Sequence, residues 1–188
     1  MSSWFKDYPY TPNNETLQKA VIGRLEYGQW KTNERLRETE LLRVAGKEEI
    51  GELTRRDLWM VGLGIWLGEG SKTTEQIRLT NSDPEIIKLW LRWLREICEL
   101  DDNNIVVHMH LYHDLDEYVC QAYWQRITKL PVSSFRKTQY DTRVVKNTLK
   151  RGGLPYGTLH ILVVSNGDKN RGVRLYRIMK GWVSGILS

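Results

Sequence analysis

Cysteine is nearly absent from this chain. The 188 residues hold two, Cys98 and Cys120, each in a helical pattern and neither in a CxxC pair, so neither a disulfide framework nor a thiolate zinc site is supported. Phenylalanine is also scarce. Two Phe stand against eight Trp and nine Tyr, so most of the aromatic surface carries a polar group, and disorder and low complexity are excluded. The longest apolar run, Leu58 to Gly68, is far shorter than the roughly 18 residues that span a bilayer, and no charged-then-apolar leader opens the sequence. These absences lead us to expect a reducing, cytoplasmic setting. No internal repeat is found.

The net charge is only +5, but it is unevenly placed. Arg126 to Lys180 holds 13 Lys and Arg against Asp141 and Asp168, a balance of +11, so the remaining residues sum to −6. A one-sided positive field of this kind commonly serves to hold a polyanion; a solvated basic surface is the alternative.

An aromatic turn through Trp4, Tyr8, Pro9, Tyr10 and Pro12 precedes a capping signal at Asn13. From Thr16 to about Ala45 the spacing of Leu17, Val21, Leu25, Leu36, Leu41 and Leu42 predicts a charged helical arm, in one helix or two, broken near Gly28. Thr54 or Asp57 caps the next element, which runs from Leu58 to Gly70 and is apolar all round. Its Gly64-x-x-x-Gly68 spacing favours a helix packed on every side over a buried strand. Ile77 and Leu79 alternate with Gln76, Arg78 and Thr80 in a short strand. Asn81-Ser82-Asp83-Pro84-Glu85 then starts an amphipathic helix that runs to about Leu100. Ile105, Val107, Met109 and Leu111 alternate with Val106, His108, His110 and Tyr112 in the clearest strand. A helix is expected over 115–129, a basic, turn-rich segment with an exposed strand over 133–155, and a strand over 156–165. A last helix, 170–187, should bury Val173, Leu175, Tyr176, Ile178, Met179 and Trp182.

Several constellations invite a chemical reading. Gly68-Glu69-Gly70-Ser71-Lys72-Thr73 looks superficially like a phosphate loop, but Ser71 and Trp66 stand where that motif needs glycine. Asp83, Glu85 and Lys88 have the residue types of a nuclease trio, yet Asp83 is better read as a helix cap. His108, His110 and His113, with Asp114 and Asp116 nearby, could form a zinc site; a polar or DNA-facing sheet surface is the preferred reading. Glu69 is an acid at the end of an apolar helix. If buried there it needs a metal ion or a cationic partner; otherwise it escapes into solvent, with Gly70 ending the helix.

Gly62-Leu63-Gly64-Ile65-Trp66-Leu67-Gly68-Glu69-Gly70 resembles the nine-residue signature of the LAGLIDADG homing endonucleases. Gly64 falls on the internal Gly, Gly68 on the second small residue, Glu69 on the final acid and Gly70 on the terminal Gly; Leu67 replaces the variable first acid. The resemblance covers 58–187 and is nearest to a subgroup of small bacterial or phage proteins, through Gly-Glu-Gly-Ser-Lys at 68–72 and Thr-Asn-Ser-Asp-Pro at 80–84. It implies an α+β fold, an αββαββα half with an antiparallel DNA-binding sheet and no clear first strand, over 57–188. An N-terminal helical arm over 1–56 precedes it, in which 1–12 look like the remnant of a helix-turn-helix. Three features depart from the family pattern: Glu in place of the commoner Asp, a very short hairpin around 71–76, and an extra helix near 115–129.

The resemblance further implies a site-specific, metal-dependent endonuclease that cuts double-stranded DNA as a homodimer. Signature helices would pair through Gly64, Trp66, Leu67 and Gly68. Glu69, with Gly68, would hold Mg²⁺ or another divalent cation, and Lys72 or Lys137 would stabilise transition-state charge. Gln76, Arg78, Thr80, His108, His110, Thr158 and His160 would read bases, while Arg136, Arg143, Lys146, Lys150 and Arg151 would grip phosphates. The rival expectations are a DNA-binding transcriptional regulator that has lost catalysis and an RNA-binding or splicing-assisting protein.

Overall fold

The computed structural model describes residues 11–71, 74–141 and 154–188. The chain divides into two compact units, Met1–Glu52 and Leu53–Ser188. In the first, a single helix, α1, spans Asn14–Ile50 and buries none of its side chains. The Asn13 side chain accepts from the Thr16 N–H at 2.8 Å, and Gly51 closes the other end at φ 62°. The expected break at Gly28 does not occur. A mid-helix glycine costs only about 1 kcal/mol, and every residue added to a helix already nucleated contributes another backbone hydrogen bond. The pairs Glu15–Lys19, Glu34–Arg37 and Glu40–Arg43 add local support. Of the first twelve residues, expected as an aromatic turn and as a helix-turn-helix remnant, 1–10 lie outside the described residues.

The second unit is α+β, as expected. Helix α2 covers Arg55–Glu69, strand β1 Arg78–Asn81, helix α3 Pro84–Glu96, strand β2 Ile105–Leu111 and helix α4 Glu117–Thr128. Strand β3 covers Gln139–Tyr140, strand β4 Thr158–Val163 and helix α5 Val173–Leu187. Thr54 and Asp57 form a reciprocal capping box at the start of α2. Asp83 accepts the Glu85 N–H at 2.8 Å to start α3, and Lys88 pairs with Glu85 at 2.7 Å. The capping reading of that trio therefore holds.

The strand order is β1-β4-β2-β3, with β4 antiparallel to both β1 and β2. The sheet is mixed rather than wholly antiparallel. Leaving α4, the chain runs alongside β2 in the same direction, through the Val107–Phe135 bridge to the pairing of His110 with Gln139. Alternation along β2 and β4 sends Ile105, Val107, Met109, Leu111, Leu159, Ile161 and Val163 into the core.

The helices supply the other half of that core, mostly through indoles. Trp66, Trp90, Trp93 and Trp124 are all 1% exposed or less. Trp90 stacks on Trp93 at 4.9 Å, Trp182 meets Trp93 edge-on at 6.4 Å, and Trp66 meets Tyr176 edge-on at 5.7 Å. On α5, Val173 and Ile178 are exposed rather than buried; the buried stripe there is Leu175, Tyr176, Met179 and Val183. Among the described residues, no helix is long and apolar enough to cross a membrane.

Candidate nucleic-acid interface

With the core on one side of the sheet, its other face carries the outward residues of three strands. Register places Thr80 beside His160 and His160 beside His108, one row across β1, β4 and β2, with His110 opposite Thr158 in the next row. His110 and His160 stack with ring centroids 5.9 Å apart, and His160 Nδ1 lies 3.2 Å from the Thr80 hydroxyl. His108 Nδ1 lies 3.3 Å from the Lys137 carbonyl oxygen. Arg78 and Gln76 are exposed at the β1 edge. Of the seven residues expected to read bases, all therefore fall on this face or at its edge.

His160 is half-buried in this row. Burial, then the charges of His110, Arg78 and His108, lower its pKa from the usual histidine value. A neutral imidazole held against a hydroxyl is a hydrogen-bonding group of fixed position, suited to reading rather than to neutralising charge. Arg136 and Lys137 are exposed where the chain joins the sheet beside β2, with the Arg136 N–H donating to the Val107 carbonyl at 2.8 Å. Arg143, Lys146, Lys150 and Arg151 lie outside the described residues, as does Lys72.

Not all of the positive segment is available to a ligand. Arg177 makes a two-point ion pair with Glu75 at 3.0 Å, Arg171 pairs with Asp168, and Arg126 lies 5.7 Å above the Tyr123 ring.

Glu69 is solvent-exposed at the end of α2, so within one chain it needs no counter-charge. Its position relative to the sheet is nevertheless fixed. Gly70 bridges Leu79, the Ser71 N–H donates to the Arg78 carbonyl at 3.0 Å, and the Gly70 N–H donates to the Trp66 carbonyl at 2.9 Å. Gly70 ends α2 in extended conformation, φ −75°, rather than in the left-handed cap expected of a helix-ending glycine. Its reason is space: a Cβ there would lie 2.3 Å from Trp66 Cδ1.

Helix α2 is not packed on every side. Leu58, Gly62, Leu63 and Trp66 face the core, whereas Gly64 and Gly68 have nothing within 4 Å of where a Cβ would be. Met60 and Val61 flank that open strip, each 37% exposed. Trp66 leaves the expected pairing set because it is a core residue, and Leu67 is half-buried against the same core.

Lys137 and Glu69 are not brought together within one chain. Glu69 adjoins the outer edge of β1 and Lys137 runs along the far side of β2, four strand spacings away, or about 19 Å. Of the clustered histidines, His113 lies beyond the end of β2, stacked on Tyr140 at 5.5 Å. Among the described residues, no three His, Cys, Asp or Glu side chains converge where they could hold a metal ion. Tyr140 escaped the sequence reading because its place depends on the parallel pairing beside β2, which has no local signal. Its hydroxyl donates to Glu117 at 2.8 Å.

No protein-family model matches this chain, and no curated protein is similar enough to it to count as a relative.

Proposed function

We infer that the chain binds duplex DNA on the outer face of its sheet and cuts it as a homodimer with a divalent metal ion. The observation that carries this reading is the Gly70–Leu79 bridge, which ties an acid at the end of an apolar helix directly to the edge of a histidine- and arginine-bearing sheet. Arg78, Thr80, His108, His110, Thr158 and His160 give that face donors, acceptors and positive charge in one array, the mixture that base edges and phosphates require.

The open strip at Gly64 and Gly68 favours close approach of a second α2, which would add a second Glu69. The donor set suits a hard cation: an exposed carboxylate, beside the carbonyl-bearing end of a helix, leaves coordination positions for water and phosphate, as Mg²⁺ prefers. When bound, such an ion lowers the pKa of its water and stabilises a leaving oxygen. The chain's own residues position the duplex, and Glu69 holds its carboxylate at the sheet edge. Resemblance to the LAGLIDADG signature over Gly62–Gly70 supports the same reading.

A second reading is a DNA-binding regulator of the same architecture. The solitary, solvated Glu69 and the distance to Lys137 favour it. A randomised duplex library, incubated with wild type and Glu69→Gln in Mg²⁺ or in EDTA, separates the two. Metal-dependent cutting that the substitution abolishes supports the nuclease. Sequence-selective binding without cutting, unchanged by Glu69→Gln, supports the regulator. Absence of binding to any duplex overturns both.

A further inference from the structure

The segment that runs beside β2 carries one residue more than β2 does. Val107 bridges Phe135 and His110 pairs with Gln139, so three residues, 136 to 138, stand against two, 108 and 109. Such a bulge interrupts the ladder and re-aims the groups it carries. It is pinned from the start of α4: Thr138 is buried, and the Thr138 and Tyr140 hydroxyls both donate to the Glu117 carboxylate, holding it below the usual carboxylate range. The Arg136 N–H still donates to the Val107 carbonyl at 2.8 Å, whereas no backbone N–H among the described residues takes the Lys137 carbonyl. That oxygen lies 3.3 Å from Nδ1 of His108, an outward residue of the sheet.

A carbonyl oxygen can only accept, so Nδ1 of His108 carries the ring proton and donates it. In the neutral ring, Nε2 is then a lone pair without a proton. Among the described residues Nε2 makes no hydrogen bond, and the buried side-chain atoms left without a partner are the indole nitrogens of Trp59, Trp66 and Trp90. The His108 acceptor is therefore open to the outer face. Its neighbours differ in kind. Arg78 can only donate, and the Thr80 hydroxyl can either give a proton to His160 or take one, so the outward nitrogen of that ring is not fixed by its partner.

We propose that His108 is a base-selecting residue whose Nε2 accepts from the exocyclic amino group of adenine or cytosine in the major groove. This rests on the reading of the sheet face as the duplex-binding surface. In that groove the N7, O6 and O4 atoms of the bases accept, as do the phosphate oxygens, and none of them satisfies a lone pair. The N6 amino group of adenine and the N4 amino group of cytosine donate, and do satisfy it. The main chain of the bulge sets this preference by fixing the ring proton, so the Lys137 carbonyl is a positioning group.

Two measurements on the full chain at pH 8 test it. Ring nitrogen NMR shifts of His108, assigned by their loss in His108→Phe, should show Nδ1 protonated and Nε2 bare. The opposite tautomer would overturn the proposal with no DNA present. Duplexes selected from a randomised library should carry, at one position per bound chain, adenine or cytosine favoured roughly tenfold over guanine or thymine. His108→Phe should abolish the preference at that position alone. His108→Gln, whose side-chain oxygen also accepts, should restore it, and His108→Lys, which can only donate, should turn it towards guanine or thymine. Each variant is compared at unchanged circular dichroism. Selective binding that His108→Phe and His108→Lys leave the same at every position would overturn the proposal while the duplex reading stands. Wild type that selects no duplex would overturn the duplex reading and this assignment together.

Discussion

A Cβ on Gly62 would lie 2.0 Å from Cδ1 of Trp93. At this point α2 and α3 touch backbone to ring, and the Trp93 indole N–H donates to the Trp59 carbonyl at 3.1 Å in the same crossing. The ring is stacked on Trp90 and has no free volume to retreat into.

Gly62→Ala should therefore destabilise the second unit by about 1–3 kcal/mol, even though alanine is the better helix former. Urea unfolding monitored by tryptophan fluorescence measures it. An unchanged midpoint would mean that the two helices are not in this register.

Gly64 and Gly68, two residues and one turn further on, should behave in the opposite sense. A Cβ on Gly64 would meet nothing within 4 Å, so in Gly64→Leu the fold should be unaffected or gain up to about 1 kcal/mol of helix propensity. Light scattering should report a dimer that Gly64→Leu converts to monomer. Persistence of that dimer would refute the α2 pairing surface.

Gly157 precedes β4 at φ +65°, and a Cβ there would lie 2.4 Å from the His110 carbonyl oxygen. Gly157→Ala adds left-handed strain to that clash and should cost about 2–4 kcal/mol. Because Thr158 pairs with His110, the damage should extend to the polar face, and duplex binding in a gel-shift assay should weaken along with stability. A destabilised variant that binds DNA as wild type does would separate this face from the ligand.

Acid should weaken the fold through His160. Its folded pKa is lowered, chiefly by burial, so above both values the ring is neutral in either state and contributes no pH dependence. As pH falls through about 6.5, the unfolded chain takes up the proton more readily than the folded one, and stability declines. The urea midpoint should drop between pH 7.5 and 5.5, and His160→Gln should flatten that drop. Equal slopes in both proteins would contradict the assignment.

Much of this architecture can be read locally. The Thr54/Asp57 box, the Asp83–Pro84 start of α3 and the alternation of β2 each depend on residues within one turn or one strand, so the sequence marks them directly. The outward histidines were legible for the same reason, as members of alternating strands. What could not be read is set by distant partners. Trp66 looked available to a second chain because nothing nearby in sequence says that Tyr176 meets its ring. The row of Thr80, His160 and His108 depends on register between strands up to 80 residues apart. The continuity of α1 through Gly28 was missed for the converse reason: a glycine breaks a helix only when another arrangement is cheaper, and no packing surface offers one there.

Strand β4 is the last to emerge from the ribosome, yet it sits in the interior of the sheet, between β1 and β2. Until residues 158–163 are made, neither earlier strand has its main partner, and both present an open hydrogen-bonding edge beside a row of unburied Val, Leu and Ile. The nascent chain must therefore wait through some eighty residues with its sheet unassembled, a high-contact-order closure that is slow and exposed to aggregation. Any truncation upstream of β4 leaves β1 without a neighbouring strand and reduces the sheet to the short β2–β3 pairing. For such a chain, folding and acquisition of the histidine face are one late event.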